Sequence, residues 1–261
     1  MGRDPSMRLN DLRRDGARTF HALKNRLQIQ TEMKFDKHFP TERLKHYIKY
    51  FVVAEHELES EYKVFPSSGL VIGFQYRGEL STIKDNTENK LTSAGITGIT
   101  DSYKIFKNSA GIGTVLVFFT ETGFARFASN PANELFNLSL SLDDIFEKNK
   151  VNEVSEKLAV AATDKQRIKI VEQFLLSQLK DIETDKLIVE AVKRIYQSKG
   201  TIRIKALHEE LFISQSPFEK RFRKVVGTTP KKFASIVRFN AVLDNMNNTK
   251  SLTQICYENN F

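Results

Sequence analysis

The sequence predicts an α+β protein, with an N-terminal β-barrel domain, a helical connector and a C-terminal all-α domain. Three observations lead there. From about residue 47 to 122, short runs rich in β-branched and aromatic residues are separated by Gly, Asn, Asp and Ser. After Gly123 the apolar residues recur at helical spacing instead. The positive charge then collects at the end of the chain: residues 190–261 hold 13 Lys/Arg against 6 Asp/Glu, whereas residues 33–189 hold 20 against 22.

Composition bounds the rest. A chain of 261 residues, 40% of them hydrophobic, can bury a core in one large domain or two smaller ones. No window supplies the roughly 18 consecutive apolar residues of a membrane span, and charged residues occupy the place of a secretory h-region, so the expected compartment is the cytoplasm. Cys256 is the only cysteine. That excludes an internal disulfide and a thiolate zinc cluster, and leaves it as a small buried residue.

Residues 1–32 are polar, Arg-rich and weakly periodic, with 7 Lys/Arg against 4 Asp/Glu. They read as a flexible leader, upstream or vector-derived, with a basic amphipathic helix as the alternative. Residues 33–146 form the predicted β domain, because "YIKYFVVAEHEL", "GLVIGFQYRGEL" and "GTVLVFFTETG" recur at the spacing of a small barrel or sandwich. Phe74, Tyr76, Phe106, Phe118 and Phe119 are expected to line its interior, where they serve as core or wall a small-molecule pocket. Glu55, Glu57, Glu59 and Glu61 alternate, which predicts one shared, solvated face. His38, His46 and His56 cluster early and no histidine follows until His208, so a His-rich metal centre is not expected. "GITGIT" lies within a strand-like run rather than between strand and helix, and no Ser-His-Asp or Cys-His set presents itself. No catalytic residue and no cofactor follow from these patterns.

Residues 147–184 form the connector. Ile168, Val171, Leu175 and Leu179 make a helical stripe, which packs within the chain or serves as a dimer seam.

Residues 185–261 are the basic module. The run "SQSPFEKRFRKVVGTTPKKF" at 214–233 threads Phe218, Phe222, Val225 and Phe233 through six Lys/Arg. Ser214 suits an N-cap, Pro217 the first turn and Gly227 the C-terminal stop, which predicts a helix of about three turns. Phe218, Phe222 and Val225 then share one face while Ser216, Glu219, Lys220 and Arg223 share the other. Ile204, Leu207 and Leu211 predict a short helix just before it. A short helix, a tight turn and an exposed basic helix is an arrangement that places side chains in a major groove.

The run "LFISQSPFEKRFRKVVGTTPKKFASIVRFNAVL" resembles the first helix-turn-helix of the AraC/XylS family of bacterial transcription regulators, through Ser214, Phe218, Lys220, Phe222, Gly227, Pro230, Phe233 and Arg238. The resemblance covers about residues 187–261 and implies two helix-turn-helix units joined by a long helix. By position it assigns base contacts to Gln215, Ser216, Glu219 and Lys220 and phosphate contacts to Arg223, Lys224, Lys231 and Lys232. Three residues depart from the pattern: Arg221 stands where an apolar residue is usual, Phe212 where a turn glycine is common, and His208 where a small residue is usual. "SLTQICYENNF" resembles the first helix of the second unit, so that unit is expected to be incomplete at Phe261, with the helix around Leu252 and Ile255 frayed or repacked. Residues 35–146 are similar, less specifically, to a sensor-like domain of unknown function attached to some such regulators, with Leu142-Asp143-Asp144 at its closing turn. This implies a cupin-like barrel.

The resulting expectation is a regulator that binds double-stranded DNA and is controlled by a small-molecule effector or by homodimerisation, with no membrane partner. The alternative is an interaction or dimerisation module that descends from such a regulator and no longer binds DNA.

Overall fold

Strand-forming residues occupy the first half of the chain and helix-forming ones the second, and the computed structural model, which describes residues 33–245, keeps that division. The predicted leader at 1–32, Cys256 and the expected partial helix at 251–261 lie outside the described residues.

Ten strands come first: β1 (Met33–His38), β2 (Ile48–His56), β3 (Ser60–Val64), β4 (Val71–Arg77), β5 (Leu80–Lys84), β6 (Thr87–Lys90), β7 (Ala94–Thr97), β8 (Lys104–Asn108), β9 (Ile112–Phe119) and β10 (Ser139–Ser141). They do not close into one barrel. They form two antiparallel sheets, ordered β1-β2-β9-β4-β7-β10 and β3-β8-β5-β6, and no ladder joins the edges of one to those of the other. The expected α+β division is present, but the expected cupin-like barrel is not closed among the described residues. The β5–β6 hairpin turns through Asp85 and Asn86, both with positive φ, which suits the right-handed twist of the flanking strands.

The larger sheet is buried on both faces, so β2 and β9 read as nearly continuous apolar runs. Phe51, Val53, Ile72, Phe74, Val115, Val117 and Phe119 belong to the main core. Phe35, Tyr50 and Val52 form a smaller core with Tyr62, Leu116 and Phe118 on the side facing the second sheet. The five aromatics expected to line one interior are therefore divided. Phe106 and Phe118 lie between the sheets, while Phe74 meets Phe174 edge-to-face at 5.9 Å and Phe119 meets Phe124 at 5.7 Å on the helical side. Adjacent strand residues must point to opposite faces, which separates Phe118 from Phe119. Tyr76 donates its hydroxyl to Glu55 at 2.6 Å and lies under the Arg167 guanidinium.

The glutamates do not share a face either. The chain turns between His56 and Ser60, so Glu55 pairs with Lys34, Glu57 with Arg77 and Glu59 with Lys107.

Leu142–Asp144 forms a 3-10 turn with Leu142 fully buried, and leads to α1 (Lys148–Val160) and α2 (Asp164–Gln178). Thr163 and Gln166 close a reciprocal capping box at the start of α2. Ile168, Val171 and Leu175 of the predicted stripe are buried within this chain, with Leu179 packed at the edge, so these residues are not presented as a seam. Then follow α3 (Lys186–Gln197), α4 (Ile204–Glu210), α5 (Gln215–Val226) and α6 (Pro230–Asn245). One apolar core runs from Leu44 through Val171 to Val237, crossing both expected boundaries, at 146/147 and 184/185.

Candidate nucleic-acid interface and the cavity between the sheets

Helix α5 is built on its phenylalanines. Phe218 and Phe222 are fully buried with rings 5.8 Å apart, and Phe222 meets Phe233 of α6 at 5.6 Å. The third fully buried residue is Val226, not the expected Val225, which is half-buried. The buried row thus follows i, i+4, i+8 rather than i, i+4, i+7. Ser214 takes the N-cap position without a side-chain hydrogen bond, and Gly227 ends the helix at φ 103°.

The departures from the family pattern have local explanations. Arg221 lies on the flank and forms a two-pronged ion pair with Asp185, at 3.0 Å from Nε and 2.8 Å from Nη2. Asp185 also caps α3 by accepting from the Ile188 N–H, so the pair fastens α5 to the start of α3. His208 Nδ1 lies 3.2 Å from the Ile213 carbonyl oxygen and bridges the turn between α4 and α5. Phe212 adopts φ 52° at 97% exposure, taking the left-handed conformation for which glycine is the usual choice.

Gln215, Ser216, Lys220, Arg223 and Lys224 are exposed on α5. Glu219 is half-buried among them, accepts from Gln215 Nε2 at 2.9 Å and pairs with Arg223 at 3.6 Å. Lys220, Lys224 and Lys231 have no carboxylate within ion-pair distance among the described residues. Lys232, expected among the phosphate contacts, is engaged within the chain. Its ammonium lies 2.5 Å from Asp101 of the β domain and 5.0 Å above the Phe136 ring.

Further contacts hold the helices against the β domain. Gly227 packs against the Ala132 carbonyl, which a Cβ there would approach to 3.1 Å. Arg126 Nη2 donates to the Lys180 carbonyl at 2.7 Å, and the Arg126 carbonyl accepts from the Lys180 N–H at 2.8 Å. Glu121, only 8% exposed, takes Lys49 at 2.5 Å and accepts from the Tyr196 hydroxyl of α3, which also bonds Ser68. Burial works to raise the Glu121 carboxyl, but Lys49 and Tyr196 outweigh it and hold the group below its ordinary value. The sequence carries no signal for these pairs, since their partners lie 54 to 131 residues apart.

A second feature is a cavity of about 340 Å³ between the two sheets, walled mainly by apolar residues including Phe35, Tyr62, Phe106, Leu116 and Phe118. Burial pushes the Tyr62 hydroxyl up to about 12 and lowers the Lys104 ammonium. His56 and Asn108 line one end, with Ser60 Oγ 3.2 Å from His56 Nδ1 and donating to Asn108 Oδ1 at 2.7 Å. Among the described residues there is no group of three or more His, Cys, Asp or Glu that could hold a metal ion, and no helix long and apolar enough to cross a membrane.

Residues 36–141 match DUF6597, a domain of unknown function, and this span lies within the segment expected to resemble a sensor-like domain. No curated protein sequence matches the chain. Among solved structures the chain is similar to ToxT from Vibrio cholerae O395, at 13% identity and TM-score 0.42 over 83% of this chain and 89% of that one. It is similar to unsaturated fatty acid-bound ToxT from Vibrio cholerae strain SCE256, at 13% identity and TM-score 0.40 over 81% and 86%. It is also similar to CuxR, an AraC-like transcriptional activator, at 13% identity and TM-score 0.32 over 86% and 84%.

Proposed function

We propose that the protein is a DNA-binding transcription regulator of the AraC type, in which α5 reads the major groove and the β domain supplies control through a small-molecule effector or through dimerisation. The observation that carries this reading is the division of α5. Phe218, Phe222 and Val226 are fully buried, while Ser216, Lys220, Arg223 and Lys224 stand exposed, with Lys220 and Lys224 unpaired among the described residues. Helix burial of this kind fixes the orientation of the reading face, and free ammonium groups on it are matched to phosphate and to guanine O6/N7. The end of α5 that docks on Ala132 is its C-terminus, whereas helix-turn-helix proteins read bases from the N-terminal part of the helix.

In this reading Gln215, Ser216 and Lys220 face base edges, with Glu219 placed to accept from cytosine N4. Arg223, Lys224 and Lys231 neutralise phosphates. Lys232 joins them only when its pair with Asp101 opens. No residue is assigned a catalytic role.

The test is a fluorescence-anisotropy titration on mixed-sequence duplex DNA at several salt concentrations, with wild type beside Lys220→Ala/Arg223→Ala. Affinity should fall with salt at a log–log slope of about −0.9 per phosphate contact, and the double variant should bind more weakly with a shallower slope. Absence of binding at low salt, or an unchanged variant, would sink the reading in favour of an interaction module that does not bind DNA.

A further inference from the structure

The cavity between the sheets has two polar ends of different kinds. Lys104, Phe106 and Asn108 alternate along β8 and all three line it, with the backbones of Lys104 and Asn108 about 13 Å apart at roughly 3.3 Å per residue. At the amide end the Asn108 side chain is fully engaged. Asn108 Nδ2 donates to the Leu58 and Ser109 carbonyls and its Oδ1 accepts from Ser60, which also meets His56. The Asn108 amide needs nothing from a ligand.

The Lys104 end is different. Its ammonium donates to Ser139 Oγ at 2.8 Å, and Ser139 Oγ lies 3.1 Å from Thr97 Oγ1. No carboxylate lies within ion-pair distance of it among the described residues. The other charged groups of the wall are already matched: Glu55 by Lys34, and Lys90 by Glu79 at 2.5 Å. The wall therefore carries one ammonium without a counter-ion, beside two hydroxyls, at the end of an apolar chamber.

We propose that this cavity binds a small monocarboxylate with an apolar body, the carboxylate seated on Lys104, Ser139 and Thr97 and the body lying along Phe106, Tyr62 and Phe118. A neutral apolar molecule would leave the ammonium further desolvated and uncompensated. A metal cation would meet an ammonium where it needs anionic ligands. A sugar would meet a wall whose accessible surface is mainly apolar. The volume is at the lower end of the range for small-molecule sites, which suits a ligand of about the size of a phenylalkanoate. The site names the chemical class of the effector in the function proposed above, and its regulatory meaning rests on that reading; the binding itself does not.

The test uses phenylbutyrate and the neutral phenylbutanol, titrated calorimetrically into the full chain without DNA. A charge-assisted hydrogen bond in a partly buried site should make the carboxylate bind at least about tenfold more tightly than the alcohol. Lys104→Met should abolish that preference while keeping the alcohol's affinity, and Lys104→Arg should retain it. Equal affinities in wild type, binding of neither compound, or a preference that survives Lys104→Met would each overturn the proposal. The head-group comparison in wild type holds even if Lys104→Met fails to fold. A chain that shows this preference but never binds DNA would keep the site and refute the regulator, and a DNA binder without the preference would do the reverse.

Discussion

Lys232 Nζ and Asp101 Oδ2 are 2.5 Å apart, so a lysine in the first turn of α6 is bound to the β domain while its neighbour Lys231 faces solvent. The hydrogen bond from Lys232, with a second from Asn137, keeps the Asp101 carboxyl below its ordinary value. Two adjacent lysines of identical chemistry thus have different work. Lys231→Ala should weaken DNA binding across all sequences and reduce the salt slope by about one contact, whereas Lys232→Ala should leave the slope unchanged. Asp101→Asn should release Lys232 and steepen the slope by about one contact. Parallel salt titrations of the three variants check this, and equal slopes for Lys231→Ala and Lys232→Ala would contradict it.

Arg221 and Asp185 should show measurable coupling. The pair is bidentate but Arg221 is 46% exposed, so a double-mutant cycle in urea should give an interaction energy of about 0.5–1 kcal/mol, falling with added salt. Asp185→Ala alone should cost roughly 1 kcal/mol more than Arg221→Ala, because it also removes the cap on Ile188. Equal single-variant losses would mean that the cap contributes nothing.

Glu121 predicts a pH dependence with opposite signs in wild type and Lys49→Met. In wild type the folded carboxyl titrates below its unfolded value, so its contribution is present above about pH 4.5 and is lost as the pH falls through the lower, folded value. Removing Lys49 leaves burial as the main influence, which raises the folded value above the unfolded one. The variant should then be roughly 3 kcal/mol less stable at pH 7, with the gap closing as the solution is acidified towards pH 4. Urea midpoints across that range measure it. A gap independent of pH would remove Glu121 as its source.

Gly200 and Phe212 both have positive φ, at 76° and 52°, yet substitution should affect them differently. A Cβ at Gly200 would lie 2.1 Å from the Ala234 carbonyl oxygen, against the α6 backbone that bears Phe233. Gly200→Ala should therefore cost at least about 2 kcal/mol. Phe212→Gly relieves a left-handed residue and adds unfolded-state entropy, and these offset, so stability should change by less than about 1 kcal/mol. Thermal unfolding of both variants is sufficient to compare them.

Period-2 and period-3.6 patterns are local, so the sequence alone determined the order of strand half and helical half, the helix from Gln215 to Val226 and its stop at Gly227. The exposed basic residues on α5 were legible for the same reason: Phe218 and Phe222 specify which face must be buried. The one-residue error over Val225 and Val226 arose because a face a hundred degrees wide accepts either i+7 or i+8, and only tertiary packing selects between them. Two properties were decided by tertiary structure. Whether ten strands close into a barrel or separate into two sheets depends on which edges meet, and no single strand records that. Whether a lysine is free, as Lys231 is, or taken, as Lys232 is by Asp101, depends on charges brought close from 131 residues away. The unmatched ammonium of Lys104 belongs to the same class, since a counter-ion's absence becomes visible only when every neighbouring wall is in place.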